Sequence, residues 1–201
     1  MARHARYDRQ TALAKAVALF WERGYHGSSM KQIEQALDMR PGSIYATFGS
    51  KDGLFSEALA AYAEQGSQEL KTYLEPAESI VDGLEAYLRG IAQTGNQTQA
   101  KPSRACMIVK TLLESSNTHP ALAEQANRIL ANIQQTLCAA LETAKARGEL
   151  LASTDCHRLA RLLQAQIVAI RSMAERDLAP DELSDLGDDV ASILESYRTR
   201  H

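Results

Sequence analysis

The sequence predicts an all-α protein, and three observations support this fold class. Aromatic residues make up only 5% of the 201 residues, whereas alanine and leucine, both strong helix formers, are frequent. Apolar residues recur at intervals of three and four along most of the chain, which is the period of an amphipathic helix. Runs of β-branched residues are short. The length allows one large domain or two small ones.

The first predicted helix runs from about Asp8 to Arg23. Leu13, Ala16, Val17 and Phe20 form its apolar stripe, because they share one face at helical spacing. Gly24 follows as a C-cap, since glycine adopts the left-handed conformation that ends many helices.

Residues 29–48 predict two short helices joined by a tight turn. Ser29 and Gln32 have the spacing of a capping box, in which each side chain bonds the other residue's backbone N–H. Asp38 and Met39 form the break, and Pro41 suits the first position of the second helix. Two helices set at an angle by such a turn form a helix-turn-helix, whose second helix can enter the major groove of DNA.

Several short motifs lie in and around this stretch, and their order and spacing are specific: Phe20 with Gly24-Tyr25, Ser28-Ser29-Met30, Ile33, Gly42-Ser43-Ile44-Tyr45, Phe48, and Ser50-Lys51-Asp52-Gly53-Leu54. The stretch resembles the TetR family of bacterial transcriptional regulators. The resemblance covers about the first 65 residues. It implies a DNA-binding domain over residues 1–66 and an effector-binding and dimerisation domain over residues 67–201.

The charge is distributed unevenly along the chain. Residues 1–51 contain eight Lys or Arg against four Asp or Glu, whereas residues 52–201 contain 14 against 21. A basic N-terminal segment followed by an acidic remainder suits a protein whose N-terminal part contacts DNA. Chance asymmetry would look the same, so the charge supports this interpretation only together with the motif.

The candidate DNA contacts are Ser29, Arg40, Gly42, Ser43, Tyr45, Thr47 and Lys51. Gly42 lacks a side chain and lets the backbone approach the duplex, and the Ser43 hydroxyl can reach a base edge. Tyr45 and Thr47 lie outside the buried face, where a hydroxyl can meet a phosphate. The resemblance implies a phosphate contact for Tyr45, and partial burial is the alternative.

Arg40 and Thr47 depart from the pattern that many family members have. Arg40 replaces a capping Ser or Thr, but it can bind phosphate or guanine. Lys51 opens the fourth helix, where an ammonium group and a helix N-terminus together favour phosphate; a plain surface lysine is the alternative. The three arginines of residues 3–9 predict a mobile arm that adds phosphate contacts, or simply a solvated terminus.

The remaining helices follow from apolar periodicity and from turn residues. The fourth runs from Lys51 towards Leu70, and Pro76 follows as a break. The others are predicted at about 78–94, 104–116, 119–148, 155–176 and from 181 onwards, with a loop at 95–103. The last helix carries a heptad pattern, typical of helix-on-helix packing, in Leu183, Leu186, Val190, Ile193 and Tyr197. A partner subunit would cover this seam, as in the family's four-helix dimer bundle, or the seam packs within one subunit.

No catalytic or metal-binding pattern is present among the histidines and cysteines, and no cofactor is expected. The five histidines are scattered, and the three cysteines are far apart without a C-x-x-C. A reduced cytoplasmic protein is therefore the expectation. No apolar run reaches the roughly 18–20 residues of a membrane span, and the N-terminus lacks the apolar core of a signal peptide.

Cys106 is the one candidate effector sensor. It lies near the start of the sixth helix beside Lys101 and Arg104, and a helix N-terminus and cations favour thiolate. Its setting resembles that of a TetR branch that responds to electrophiles or oxidants; the alternative is a buried, inert thiol. Lys110 and Glu114 follow at four-residue spacing, so they line a polar pocket or form a solvated ion pair.

The sequence thus predicts a ligand- or thiol-responsive regulator, expected to be a repressor. It would bind a near-palindromic operator as a homodimer through its last two helices. A small molecule or electrophile acting on the C-terminal domain would release it. Two other classes remain: a helical enzyme that uses Cys106 as nucleophile, and a helical adaptor without a role at DNA.

Overall fold

The computed structural model describes residues 2–96, 105–176 and 178–199, and helices dominate these ranges. The helices are α1 (Ala2–Arg23), α2 (Met30–Leu37), α3 (Pro41–Phe48), α4 (Lys51–Leu74), α5 (Ile80–Asn96), α6 (Met107–Ser115), α7 (Pro120–Ala146), α8 (Cys156–Met173), α9 (Pro180–Ser192) and a 3-10 helix (Ile193–Tyr197). The predicted all-α class is confirmed.

The helices are grouped in two compact units. The first contains Met1–Gln65 and Ala100–Ile129, and the second contains Gly66–Gln99 and Leu130–His201. Helices α4 and α7 each contribute residues to both units. The first unit thus includes α6 and the first part of α7 as well as the N-terminal helices, which periodicity did not anticipate.

The first unit is built on an aromatic and aliphatic core. Phe20 of α1 and Phe55 of α4 meet edge to face with ring centroids 4.8 Å apart. Ile33 of α2 and Ile44 of α3 are fully buried. Gly24 ends α1 with φ of 72°, as its C-cap role requires.

The arginine-bearing N-terminus belongs to α1, which begins at Ala2. The predicted helix start at Asp8 is therefore wrong, and residues 3–9 continue the helix rather than forming a separate arm. The segment ARHARY contains no glycine or proline and is rich in alanine and arginine, so nothing in it interrupts the helix.

In the second unit, α9 packs on α5 rather than standing uncovered. Leu183 and Val190 are buried in the core of this unit, and Leu186 and Tyr197 pack against it. A Cβ at Gly187 would lie 2.6 Å from Cβ of Ala92 on α5, so the two helices approach closely. The seam is therefore packed mainly on its own subunit, with Leu186, Ile193 and Tyr197 partly exposed, and α5 rather than a partner subunit is its main cover.

The end of the described chain is fixed to the second unit by a small polar network. Residues 150 and 198 form an isolated antiparallel bridge. The Arg198 guanidinium donates to Glu85 at 2.9 Å and also to Asp82. Arg89 adds a longer bond to the same Glu85 carboxylate at 3.4 Å, so a carboxylate that is only 6% exposed is neutralised from two sides.

Candidate nucleic-acid interface

The turn between α2 and α3 has the predicted capping geometry. The Ser29 Oγ accepts from the Gln32 backbone N–H at 3.3 Å, and the Gln32 Oε1 accepts from the Ser29 backbone N–H at 2.8 Å. Asp38 ends α2 in the left-handed conformation, and Pro41 occupies the first turn of α3. The capping box and the break are therefore confirmed. Ser29 itself is exposed.

One side of α3 holds the helix to the protein and the other faces solvent. Ile44 and Phe48 are buried, at 0% and 6% exposure. Gly42, Ser43 and Tyr45 are exposed, and Tyr45 has 48% of its surface accessible. The Tyr45 ring is thus directed away from the core, where a phosphate or base edge could reach its hydroxyl.

Gly42 is not required by the fold. Apart from its chain neighbours and the backbone of α3 itself, no atom of the described chain lies within 4 Å of the position that a Cβ would take, and its φ is not positive. Glycine inside a helix destabilises it by about 0.5–1 kcal/mol relative to alanine. A glycine that the protein itself does not need fits a surface on which another molecule approaches the backbone.

Thr47 uses its hydroxyl proton inside α3, because Oγ1 donates to the Ser43 carbonyl at 2.7 Å. A phosphate can only accept a hydrogen bond. In this conformation the Thr47 hydroxyl therefore has no proton left for a phosphate oxygen.

Arg40 stands at the N-cap of α3 without a side-chain capping bond. It is exposed, and no ion pair involves it within the described ranges. Arg9 is different, since it pairs with Glu57 at 2.6 Å and lies over the Phe48 ring at 5.1 Å. Arg40 is consequently the more available cation of the two.

Lys51 opens α4, and Ser50 caps that helix by accepting from the Gly53 N–H at 3.0 Å. The Lys51 ammonium lies 4.2 Å from the centroid of the Tyr25 ring. Burial lowers the pKa of Lys51, and the neighbouring Asp52 charge offsets part of that effect. The group is half-buried at a helix N-terminus, a combination that favours an incoming anion.

Tyr25 joins Lys51 to the rest of the first unit. Its hydroxyl donates to Asp52 Oδ1, and its backbone N–H donates to Glu114 Oε2 at 3.2 Å. Burial, then the hydrogen bond to Asp52 and the charge of that carboxylate, raise the pKa of Tyr25 from 10.0 to about 12. In the sequence, Tyr25 is recognisable only as part of the Gly24-Tyr25 motif. Its contact with Glu114 could not be predicted, because no local pattern links residues 25 and 114.

The polar face of α6 binds the end of α1. Lys110 Nζ donates to the carbonyls of Trp21 and Glu22 at 2.8 and 3.3 Å, where a cation complements the helix C-terminus. The Glu114 carboxylate accepts the hydrogen bond from the Tyr25 backbone N–H. The two side chains therefore form neither the polar pocket wall nor the ion pair expected from the sequence.

Cys106 is a free, partly exposed thiol at the N-cap of α6, and its side chain makes no capping bond. Lys101 and Arg104, the cations expected beside it, lie outside the described residues. Cys138 and Cys156 are buried. Burial, followed by the Glu142 carboxylate, raises the pKa of both thiols, that of Cys156 to about 11. Cys106 is thus the most accessible of the three cysteines.

The second unit has an open recess of about 500 Å³, lined among others by Leu151, Thr154, Arg158, Leu162 and Tyr197. Sequence periodicity does not reveal this recess, because its residues come from two distant segments, 151–162 and 196–197. Leu151 and Leu162 are 40% and 36% exposed, so the recess is open to solvent rather than enclosed.

No cluster of three or more His, Cys, Asp or Glu side chains within residues 2–96, 105–176 and 178–199 could hold a metal ion. None of the helices in those ranges has the length and apolar character to cross a membrane.

Two family models match the chain. Residues 12–58 match the model described as bacterial regulatory proteins, tetR family. Residues 81–184, about half of the chain, match the model described as tetracyclin repressor-like, C-terminal domain. Together they include the helix-turn-helix and most of the second unit.

Relatives align over most of the chain. An uncharacterized HTH-type transcriptional regulator, YezE of Bacillus subtilis (strain 168), is 29% identical over 198 residues, covering 97% of this chain and 100% of the relative. The HTH-type transcriptional repressor ComR of Escherichia coli (strain K12) is 27% identical over 184 residues, with 90% and 85% covered.

A solved structure with DNA is also similar. A cysteine mutant of the TetR family transcriptional regulator CifR, in complex with 26-bp double-strand operator DNA, superposes with a TM-score of 0.77. It is 29% identical and covers 90% of this chain and 94% of the CifR chain.

Proposed function

The chain belongs to the TetR family of bacterial transcriptional regulators, and from this premise we propose that it is a repressor released from its operator by an effector. The observation that carries the proposal is the exposed side of α3, next to Lys51 at the N-terminus of α4. The similarity to the repressor ComR supports repression rather than activation. By covering a promoter the bound protein would block transcription.

The proposed DNA contacts divide into positioning and sequence-reading groups. Lys51, Tyr45 and Ser29 contact phosphates, which fix the protein on the duplex without carrying sequence information. Arg40 and Ser43 reach base edges in the major groove. Gly42 admits the DNA backbone, and Thr47 contributes through its methyl group and acceptor lone pairs, since its proton stays on the Ser43 carbonyl.

The proposed operator is near-palindromic, because a two-fold dimer places its two recognition helices in successive major grooves about 34–36 Å apart. Helix α8 supports a dimer: Leu162, Ala165 and Ala169 are exposed and share one face at spacings of three and four. The exposed side of α9 is acidic, with Asp181, Glu182, Asp185, Asp188 and Asp189. Of the last two helices, we therefore assign most of the interface to α8.

The proposed effector domain is residues 67–201, with Cys106 as a thiol sensor. Cys106 precedes α6, whose Lys110 and Glu114 hold the end of α1 and Tyr25. An adduct on this thiol would displace α6 and disturb those contacts. Release needs only that the modified protein favour a state that binds DNA less tightly. A non-covalent small molecule acting on the C-terminal domain is the other form of the same proposal.

We further propose a cytoplasmic protein without cofactor or catalytic step. Three free cysteines fit a reducing compartment, and the aligned relatives are named as regulators. A turnover assay with thiol-reactive ester substrates would expose the alternative, an enzyme with Cys106 as nucleophile.

The proposal is tested by fluorescence anisotropy on a duplex from upstream of the protein's own coding region. Binding is measured before and after a thiol-selective electrophile for wild type, Cys106→Ser and the matched control Cys156→Ser. We expect the electrophile to abolish binding for wild type and Cys156→Ser but not for Cys106→Ser. Binding that survives in all three proteins would contradict the thiol switch, and absence of any specific binding would contradict repression at this site.

A further inference from the structure

The Lys51 ammonium does not extend freely into solvent, although lysine has a flexible four-carbon stem. It lies 4.2 Å from the centroid of the Tyr25 ring, well within the distance at which an aromatic face attracts a cation. Within the described ranges no carboxylate forms an ion pair with it. No ion pair therefore competes with an incoming anion, and the Asp52 carboxylate acts on the ammonium only through its charge.

The ring that holds Lys51 is itself fixed from several sides. Tyr25 is only 7% exposed. Its backbone N–H donates to Glu114 at 3.2 Å, and its ring meets Phe55 and His119 at centroid distances of 5.2 and 4.4 Å. Such a ring offers the lysine one defined place rather than a mobile surface.

The Tyr25 hydroxyl also controls the acid next to Lys51. It donates to Asp52 Oδ1, and this bond keeps the carboxylate directed towards the tyrosine. A released Asp52 carboxylate could pair with the adjacent ammonium, or it could repel a phosphate at the same helix N-terminus. One side chain thus orients the cation and restrains the neighbouring anion.

We propose that Tyr25 is a positioning residue for Lys51, holding its ammonium group at the N-terminus of α4 where a DNA phosphate binds. The inference rests on the proposed function, since it assumes that Lys51 contacts phosphate. Binding a preordered side chain avoids the entropy of immobilising a flexible one. Loss of the ring should weaken DNA binding by about three- to tenfold.

The test is a double-mutant cycle on DNA affinity. Wild type, Tyr25→Leu, Lys51→Ala and the double variant are titrated by anisotropy onto a mixed-sequence 26-bp duplex, the length of the operator in the CifR complex. A mixed sequence suits the test because phosphate contacts do not depend on sequence. Tyr25→Phe retains the ring, and Tyr62→Leu removes a buried tyrosine of α4 that pairs with Trp21 instead.

We expect Tyr25→Leu to weaken binding only when Lys51 is present, so that its effect vanishes in the Lys51→Ala background. Tyr25→Phe keeps the ring but releases Asp52, so its loss of affinity should be smaller than that of Tyr25→Leu, about two- to threefold. An equal loss in both backgrounds, as expected of Tyr62→Leu, would mean that Tyr25 is merely structural and would overturn the inference. Failure of wild type to bind any duplex would instead refute the proposed function.

A second measurement does not require Tyr25→Leu to fold. In the NMR spectrum of the wild-type protein, the Lys51 εCH2 protons should be shifted upfield by the Tyr25 ring current, and the shift should persist in Tyr25→Phe. Ordinary lysine shifts at Lys51 in the wild type would overturn the positioning role, whatever the variants do.

Discussion

The carboxylate of Glu114 occupies the space beside Gly24 in which any other residue would carry its Cβ. A Cβ built on Gly24 would lie 2.4 Å from Glu114 Oε1. The same carboxylate accepts the backbone N–H of Tyr25. Glycine is therefore required at this position for two reasons: the φ of 72°, and the close approach of the Glu114 side chain from α6.

Gly24→Ala should destabilise the protein more than Gly148→Ala does. Both glycines follow a helix with nearly equal positive φ, 72° and 77°, but apart from chain neighbours no atom of the described chain lies within 4 Å of a Cβ at Gly148. We expect about 1–2 kcal/mol for the backbone strain at either site. The displaced Glu114 should add about 1–2 kcal/mol at Gly24, because its charge-assisted hydrogen bond is broken. Urea unfolding measures both, and equal destabilisation would contradict the role of Glu114.

Gly42→Ala should weaken DNA binding without destabilising the protein. The fold leaves the site open, so we expect unchanged stability or a gain of about 0.5 kcal/mol. Affinity for DNA should fall by about tenfold, because the added methyl meets the approaching backbone. Gly66→Ala is the control, since it lies inside α4 with equal free space. Thermal unfolding and anisotropy are measured on both, and unchanged binding by Gly42→Ala would refute the close approach.

Arg198→Ala should destabilise the second unit by about 1–3 kcal/mol. Within the described residues it leaves the Glu85 carboxylate, 6% exposed, with only its 3.4 Å bond to Arg89. The range is reduced because the Arg198 side chain is itself 24% exposed. Arg128→Ala, whose pair with Glu124 is fully at the surface, should change stability by less than about 0.5 kcal/mol. Similar values from urea unfolding would contradict the network.

Tyr25 should titrate about two pH units above an unfolded tyrosine. Its pKa is raised from 10.0 to about 12 by burial and by Asp52. The folded state therefore binds this proton more tightly than the unfolded state. The resulting stability is fully present below pH 10 and is lost as the pH rises from 10 to 12. Tyrosinate absorbance of wild type minus Tyr25→Phe isolates this group, and a midpoint near 10 would disprove the burial effect.

Much of the fold could be predicted because local chemistry determines helix ends. The structure confirms four helix boundaries that local sequence marks: the Ser29 capping box, Pro41 in the first turn of α3, Asp155 before α8 and Gly24 after α1. The seam of α9 was misinterpreted because periodicity reveals an apolar face but not what covers it. That cover is α5, which lies far earlier in the chain.

The candidate site was only partly predictable for the same reason. The exposure of Ser43 and Tyr45 follows from their positions opposite Ile44 and Phe48 on one helix. The contacts of Tyr25 with Glu114 and Lys51 do not follow from spacing, since they join distant segments. Hydrogen bonds between such segments depend on the tertiary packing and leave no periodic signal.

The salt dependence of DNA binding by wild type and Lys51→Ala tests the proposed interface most directly. Anisotropy with a duplex from upstream of the coding region gives the logarithm of affinity against the logarithm of salt concentration. We expect weaker binding by Lys51→Ala and a slope reduced by about 0.9 for each phosphate that is no longer neutralised, roughly 2 for a dimer. Equal affinity and equal slope over the whole salt range would contradict the phosphate contact at Lys51 and the interface built around it.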